Sequence, residues 1–388
     1  MNAAIRVWTV GLLAVAPRIA TTQSVPTFQV ARDLRIDAAE HDLSPIGWLA
    51  VSPTGTIAIS QAQDGLIRFF SSSGVALGTF GRSGAGPGEF RTIAQHGWLR
   101  DTLWVDDPST KRTTFISPSR ALIRSVMQLT AITVPGASSD STPRFFGVFP
   151  RALYPDGSAL VWAILAAGST PRWPGADPAG IQYIKVNREG AFVGILATRP
   201  ANRCGVRYPL PGGGGVAPIP YCGAPMEDLA RDGMRYVAAT IESQATSRTA
   251  YRVTLLRATG DTAFSRRYEH TSEAIPRRFA DSVLASWTSR ARFPQEEEAY
   301  RSMKVPSFYP PIVRVLLGRD DSIWLEEFTP IYKPSTRTWR ILDGQGVVTG
   351  KLTVPGTFNL EVASRTTLWG TETDNDGLQH VVRYRVSR

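Results

Sequence analysis

Cysteine is almost absent from this 388-residue chain, which carries only Cys204 and Cys222, and histidine is scarcely commoner, at His41, His96, His270 and His380. No pair of histidines stands at metal-ligand spacing and no His-Glu-x-x-His run occurs, which excludes the familiar zinc-finger and zinc-protease patterns. No Gly-x-Ser-x-Gly elbow is present, so a serine hydrolase of the α/β type has no support. The glycine-rich run Gly81–Gly88 lacks the Gly-Lys-Ser/Thr ending and the following helix that a phosphate loop needs. Lysine is also scarce. Only five of the 43 basic residues are lysine, so arginine carries the net charge of +10. Charged residues are 20% and hydrophobic residues 43% of the chain, a globular composition that excludes wholesale disorder.

Glycine (34) and proline (28) are plentiful and follow no fixed period, which points to many turns rather than a fibre. The basic residues are scattered, with only short pairs such as Arg266-Arg267 and Arg277-Arg278. A nucleic-acid footprint is clustered, so no nucleic-acid partner is expected. A protein, a peptide or an anionic small molecule or glycan stays open as a partner. The chain is expected to be a monomer.

Residues 1–24 read as a secretory signal. Arg6 supplies the basic region, and Val7 to Ala16 form an apolar run of ten residues, too short to span a bilayer, which takes roughly 20. Cleavage fits after Ala14-Val15-Ala16 or near Thr22-Gln23-Ser24. No other stretch approaches transmembrane length. Export to the periplasm or the extracellular space follows, and losing Arg6 and Arg18 with the signal lowers the net charge to +8. In such a compartment Cys204 and Cys222 read as a disulfide. The segment between them has four prolines and five glycines, a composition that resists regular helix or strand.

One phrase recurs along the chain: a turn, a polar residue, Leu or Ile, then tryptophan. It appears as Asp101-Thr102-Leu103-Trp104, Asp321-Ser322-Ile323-Trp324 and Thr366-Thr367-Leu368-Trp369, with related forms beginning at Thr54, Asp156 and Asp232. Each is a turn feeding a β-prone run. A second phrase follows in most units, a strand, a turn and another strand, as in Leu66–Phe70, Ser73-Gly74 and Val75–Phe80. Four antiparallel strands per roughly 40–50 residues is a propeller blade. The fold expected is all-β: six four-stranded antiparallel blades over residues 25–388. A β-sandwich is the alternative. The sixth unit lacks a fourth strand, and Thr27–Ile36 is a spare strand that could complete it and remove an exposed edge.

Two insertions interrupt the units. Residues 196–231 hold the cysteine loop. Residues 272–309 hold two helical patterns, one after Pro276 with Phe279, Val283, Leu284 and Trp287 on one face. The other starts at Pro294 with Glu296, Glu297 and Glu298 in its first turn, where acidic groups suit the helix dipole. They read as a cap or lid over one end of the propeller.

The segment Phe80-Gly81-Arg82-Ser83-Gly84-Ala85-Gly86-Pro87-Gly88-Glu89-Phe90 resembles the inter-blade linker of NHL-type repeats. The mature chain is similar to exported six-bladed bacterial propellers, in which a helical insertion is followed by a phrase like Tyr309-Pro310-Pro311. The resemblance implies fold and export and little about chemistry. The later units depart from the NHL pattern, since no second Gly-Pro-Gly linker occurs. Lactonases on six-bladed propellers hold a central calcium with Glu, Asn and Asp, and the matching candidates here are Glu227, Asp228, Asn359 and Glu361. The histidine-held metal of the lyase known on such a propeller lacks its ligands in this chain.

Propeller ligands bind at the channel mouth where inner strands begin. That places the candidate site at Arg91, Arg144, Glu227, Tyr309 and Asn359. The two arginines offer bidentate donors to an acidic ligand, and Tyr309 an aromatic wall. No catalytic residue is assigned. Asp106-Asp107 could be paired for acid–base work, yet they stand at a turn before Pro108 and read as structural. Thr373–Gly377 begins like a calcium loop but Arg385 stands where the closing glutamate belongs, so it reads as a hairpin turn. The function expected is a non-catalytic binding or interaction module without cofactor. The rival is a calcium-dependent hydrolase or lyase.

Overall fold

A computed structural model describes residues 25–43, 45–129, 131–134, 145–165, 173, 175, 181–211, 213–330 and 336–388. The signal segment 1–24 and Arg144 lie outside the described residues. The chain is all-β, with antiparallel sheets in a propeller-like arrangement. Among the described residues no helix is long and apolar enough to cross a membrane.

Four sheets have four strands each and follow one another in the chain. The first is Leu49–Val51, Ile57–Gln61, Leu66–Phe70 and Ala76–Gly81. The second is His96–Leu99, Thr102–Asp107, Arg112–Ile116 and Leu122–Met127. The third is Phe145–Leu153, Ala159–Leu165, Gln182–Val186 and Phe192–Thr198. The fourth is Met226–Leu229, Arg235–Ser243, Arg248–Arg257 and Thr262–Thr271. Eight further strands form one sheet. One half is Ile312–Leu317, Ile323–Glu327, Thr336–Leu342 and Val348–Pro355. The other is Phe358–Ala363, Thr367–Thr373, Gln379–Ser387 and the first strand, Thr27–Ile36.

The recurrent tryptophan phrase marks the entry to the second strand of a sheet. Its turns need left-handed backbone, supplied by glycine at Gly55 (φ 92°) and without glycine at Asp321 (φ 65°). The tryptophans themselves are buried: Trp104, Trp324 and Trp369 are at most 5% exposed. Trp104 lies against Gly97, where an added Cβ would come within 2.8 Å of the indole. Apolar clusters bridge the first sheet to the second, the third to the fourth and the fourth to the eight-stranded sheet. Ile57 and Phe70 of the first sheet share a cluster with Trp369 and Val381 near the chain's end, so packing runs from the last sheet back to the first.

Thr27–Ile36 pairs antiparallel with Gln379–Ser387, and its first residues pair parallel with Lys351 and Leu352. It thus fills the place of the missing outer strand and also joins the two halves of the eight-stranded sheet. The segment Phe80–Phe90 is a turn between the first two sheets, closed by Phe90 N–H donating to the Arg82 carbonyl at 2.9 Å. The loop is filled by its own glutamate: Glu89 accepts from Gly86 N–H and from Arg82, which leaves no cradle for a phosphate.

The cysteine segment corrects the expectation of an irregular loop. Cys204 and Cys222 are disulfide-bonded, and between them Gly205–Leu210 and Gly213–Pro218 form an antiparallel hairpin. Glycine is accommodated because a neighbour covers it. The Tyr208 ring lies where a Cβ on Gly215 would fall, 2.1 Å from it. Helices α1 (Ala38–His41), α2 (Arg277–Thr288) and α3 (Pro294–Arg301) complete the fold. Pro276 is the N-cap of α2 and Pro294 the first residue of α3, as the sequence pattern expected. The partner of these helices was not foreseen. Ala299, Tyr300 and Met303 pack with Ala217, Val206 and Tyr208 of the hairpin, so two insertions distant in sequence build one satellite core. Their bases are tied by Gln244, whose amide donates to the carbonyls of Tyr221 and Phe308 at 3.0 Å.

Replacing Cys204 and Cys222 together by serine is expected to cost about 3 kcal/mol, the chain-entropy value for a loop this short. Urea unfolding measures the loss, and limited proteolysis should then cut first within 205–218.

Candidate functional site

The short first strands of the first, second and fourth sheets, with both edge strands of the eight-stranded sheet, surround a cavity of about 580 Å³. A volume of roughly 300–1,000 Å³ suits a small-molecule ligand. Its wall is polar and arginine-rich: Arg199, Arg231, Arg235, Arg314 and Arg319 face Glu227, Asp228, Asp232 and Glu361.

Glu227 is the most heavily engaged carboxylate. Arg199 pairs with it at 2.7 Å, and the hydroxyls of Tyr183 and Tyr236 donate to it at 3.1 and 2.7 Å. Burial and this carboxylate push the Tyr183 phenol up to about 12, and raise Tyr236 further. Both therefore stay protonated donors at neutral pH. Asp228 accepts from the Leu317 N–H at 2.7 Å, linking the fourth sheet to the eight-stranded one. Burial raises its carboxyl above the usual range, with Arg231 opposing. Arg314 donates to Asn359 Oδ1 at 2.9 Å and to the Leu360 carbonyl at 2.5 Å, while the Asn359 amide donates to Glu361. Burial raises Glu361 too, against Arg314 and Arg231. Arg319 donates to the Ser52 carbonyl at 2.9 Å and ties the eight-stranded sheet to the first.

His96 and Trp98 of the second sheet add aromatic groups to the wall. His96 stacks on Trp48 at 3.7 Å between centroids and 11° between planes. It is 8% exposed, and loss of hydration holds it well below 6.5, so the imidazole is neutral. His96 Nε2 and the indole nitrogens of Trp48 and Trp98 have no hydrogen-bond partner among the described residues.

Of the residues singled out from sequence, Glu227 lines this cavity. Asn359 stands behind it, bound to Arg314 and Glu361. Tyr309 is buried in an aromatic cluster, stacked on Phe328 at 4.6 Å and edge-on to Tyr221 at 5.2 Å, and is not among the cavity residues. Arg91 is exposed and also outside the cavity, its backbone N–H held by Asp107 at 2.8 Å. Arg144 lies outside the described residues.

Each of the calcium candidates has at least one oxygen already engaged. Glu227 is held by a guanidinium and two phenols, Asp228 by a backbone N–H, Asn359 Oδ1 by Arg314, and Glu361 by the Asn359 amide. Among the described residues no three His, Cys, Asp or Glu side chains come together as a metal-ligating group. Thr373–Gly377 is a hairpin turn, with Asp374 accepting from the N–H groups of Asp376 and Leu378.

Sequence reasoning looked to strand starts and missed Arg231 and Arg319, which follow strand ends. A signal existed. Leu229-Ala230-Arg231-Asp232 and Leu317-Gly318-Arg319-Asp320 repeat one phrase immediately before a turn.

No family model matches the chain, and no curated protein matches it. Similar solved structures include a DUF4221 member from Bacteroides vulgatus, at 10% identity and a TM-score of 0.48, covering 93% of this chain and 99% of that one. An aldose sugar dehydrogenase from Streptomyces coelicolor, in its PQQ-bound form, has 12% identity and a TM-score of 0.41, with coverage of 94% and 100%. Virginiamycin B lyase from Staphylococcus aureus has 10% identity and a TM-score of 0.36, with coverage of 92% and 99%.

The neighbouring pair Asp106-Asp107 divides its roles. Asp107 accepts from the backbone N–H groups of Arg91, Thr92, Ser109 and Thr110 and organises the turn. Asp106 is fully buried; its Oδ1 accepts from Thr113 and Gln128, and its Oδ2 has no partner among the described residues. Burial pushes its carboxyl up to about 7 from 3.8. The folded state then holds the proton more tightly than the unfolded chain. The stability this contributes is present below pH 3.8 and is lost as pH rises towards 7. Asp106→Asn should remove that slope, so that wild type loses melting temperature relative to the variant between pH 4 and 7 in calorimetric scans.

Proposed function

We propose that this protein is an exported six-bladed β-propeller of residues 25–388 that binds a small-molecule ligand in its central cavity without catalysing a reaction. The observation that carries the reading is the cavity itself, about 580 Å³ and walled by arginines and aromatic groups from separate sheets. Three of its carboxylates, Glu227, Asp228 and Glu361, already accept tyrosine, arginine, backbone or asparagine donors. That favours recognition over the calcium-dependent hydrolase. Six blades follow if each half of the eight-stranded sheet counts as one, with Thr27–Ile36 as the outer strand of the last. Export is supported by the N-terminal apolar run and the disulfide. The linker Phe80–Phe90 supports the likeness to NHL-type repeats. Within the insertion 196–231 the disulfide-bonded hairpin lies between the cavity-lining residues Arg199 and Pro225, and the insertion 272–309 lies ahead of Val313, which suits a rim that shapes entry. The chain acts as a monomer in this reading.

Native mass spectrometry of protein purified from the periplasm without chelator tests it, paired with elemental analysis. A small-molecule adduct is expected, and it should disappear in Val313→Trp, which fills the cavity from an exposed position on its wall. Stoichiometric calcium with a melting point lowered by EDTA would instead carry the hydrolase reading.

A further inference from the structure

Four of the five cavity arginines are tied down. Arg199 is held by Glu227, Arg235 by Asp321, Arg314 by Asn359 and the Leu360 carbonyl, and Arg319 by the Ser52 carbonyl. Arg231 differs. It is exposed, lines the cavity, and has no hydrogen bond and no ion-pair partner within 4 Å among the described residues. Its charge nevertheless acts on His96 of the second sheet, Asp228 of the fourth and Glu361 at the edge of the eight-stranded sheet. Arg231 follows the first strand of the fourth sheet on the cavity wall. Trp98 and Val313 line the same space.

Arg231 is the cavity guanidinium left without a partner among the described residues, and an anion held by it also meets Asp228 and Glu361, the carboxyls on which its charge acts. A monoanion is repelled there less than a phosphate dianion. The planar guanidinium fork suits a carboxylate's two oxygens. We infer that the ligand of this cavity bears one carboxylate, gripped by Arg231, with its apolar part against Trp98 and Val313. The inference rests on the reading of the cavity as a ligand site.

The test uses acetate as the minimal carboxylate and acetamide as its neutral isostere, on the unmodified chain. Phenylglyoxal reacts with free guanidinium groups, and peptide mass spectrometry reads the rate at Arg231, with exposed Arg91 outside the cavity as reference. Acetate is expected to slow modification at Arg231 by at least about fivefold relative to sodium chloride of equal ionic strength, a conservative share of one charge-assisted bidentate contact. Arg91 should react equally in both salts. Equal protection by acetamide would overturn the carboxylate and leave the cavity as a binding site. Arg231 reacting like Arg91 under every condition would overturn both. No reaction at Arg231 in any condition would show it partnered and would also overturn the inference.

Discussion

The structure depends on one pairing: the first strand, Thr27–Ile36, laid against the last, Gln379–Ser387. Sheets that pack face to face in a ring have no natural end. Either the ring closes or an edge strand and an apolar face stay open to water. Here the chain brings its beginning to its end, and the same strand reaches Lys351 and Leu352 of the neighbouring half-sheet. Ion pairs fix the join from the surface, where Asp33 binds both Arg383 and Arg385. Their effect is to hold Asp33 below the usual carboxylate range. The larger contribution is burial. Ile36, Leu43, Phe70 and Trp369 share one core across the seam, and each such side chain removed from water contributes roughly 1.5–3 kcal/mol.

Closure is what makes the cavity. First strands of different sheets converge on a shared space only if the ring is shut, and the polar groups that meet there come from distant parts of the sequence. Asp228 accepts from the backbone of Leu317, and Arg319 reaches Ser52. These contacts staple sheets across the centre at the expense of desolvated charge, which raises Asp228 and Glu361 and depresses Arg319. Arginine rather than lysine suits this work, because its fork can serve a side chain and a carbonyl at once, as Arg314 does.

Much of this was legible in the sequence. The recurring turn–tryptophan phrase marked the second strand of the sheets because a turn and a buried indole are both local demands. The spare strand at the beginning and the missing one at the end implied each other. The helices announced themselves through Pro276, Pro294 and their apolar faces. What the sequence did not reveal was long-range. Nothing in the glycines and prolines between Cys204 and Cys222 states that a tyrosine and a distant helix will cover them, so a hairpin looked like a loop. Likewise Arg91 and Tyr309 stand near strand starts, yet one points to solvent and the other into an aromatic cluster. Which residues face a shared centre is set by the pleat of each strand and by the ring, not by position along the chain alone.

The most direct test of the account is native-state hydrogen exchange at the seam. Amides of 27–36 and 379–387 should exchange with the same free energy as those of Ile323–Glu327, an interior strand of the same sheet, because closure and the whole ring are lost together. Early exchange of 27–36 by local opening, with the sheets and cavity still protected, would contradict it and make the first strand an ornament rather than the clasp.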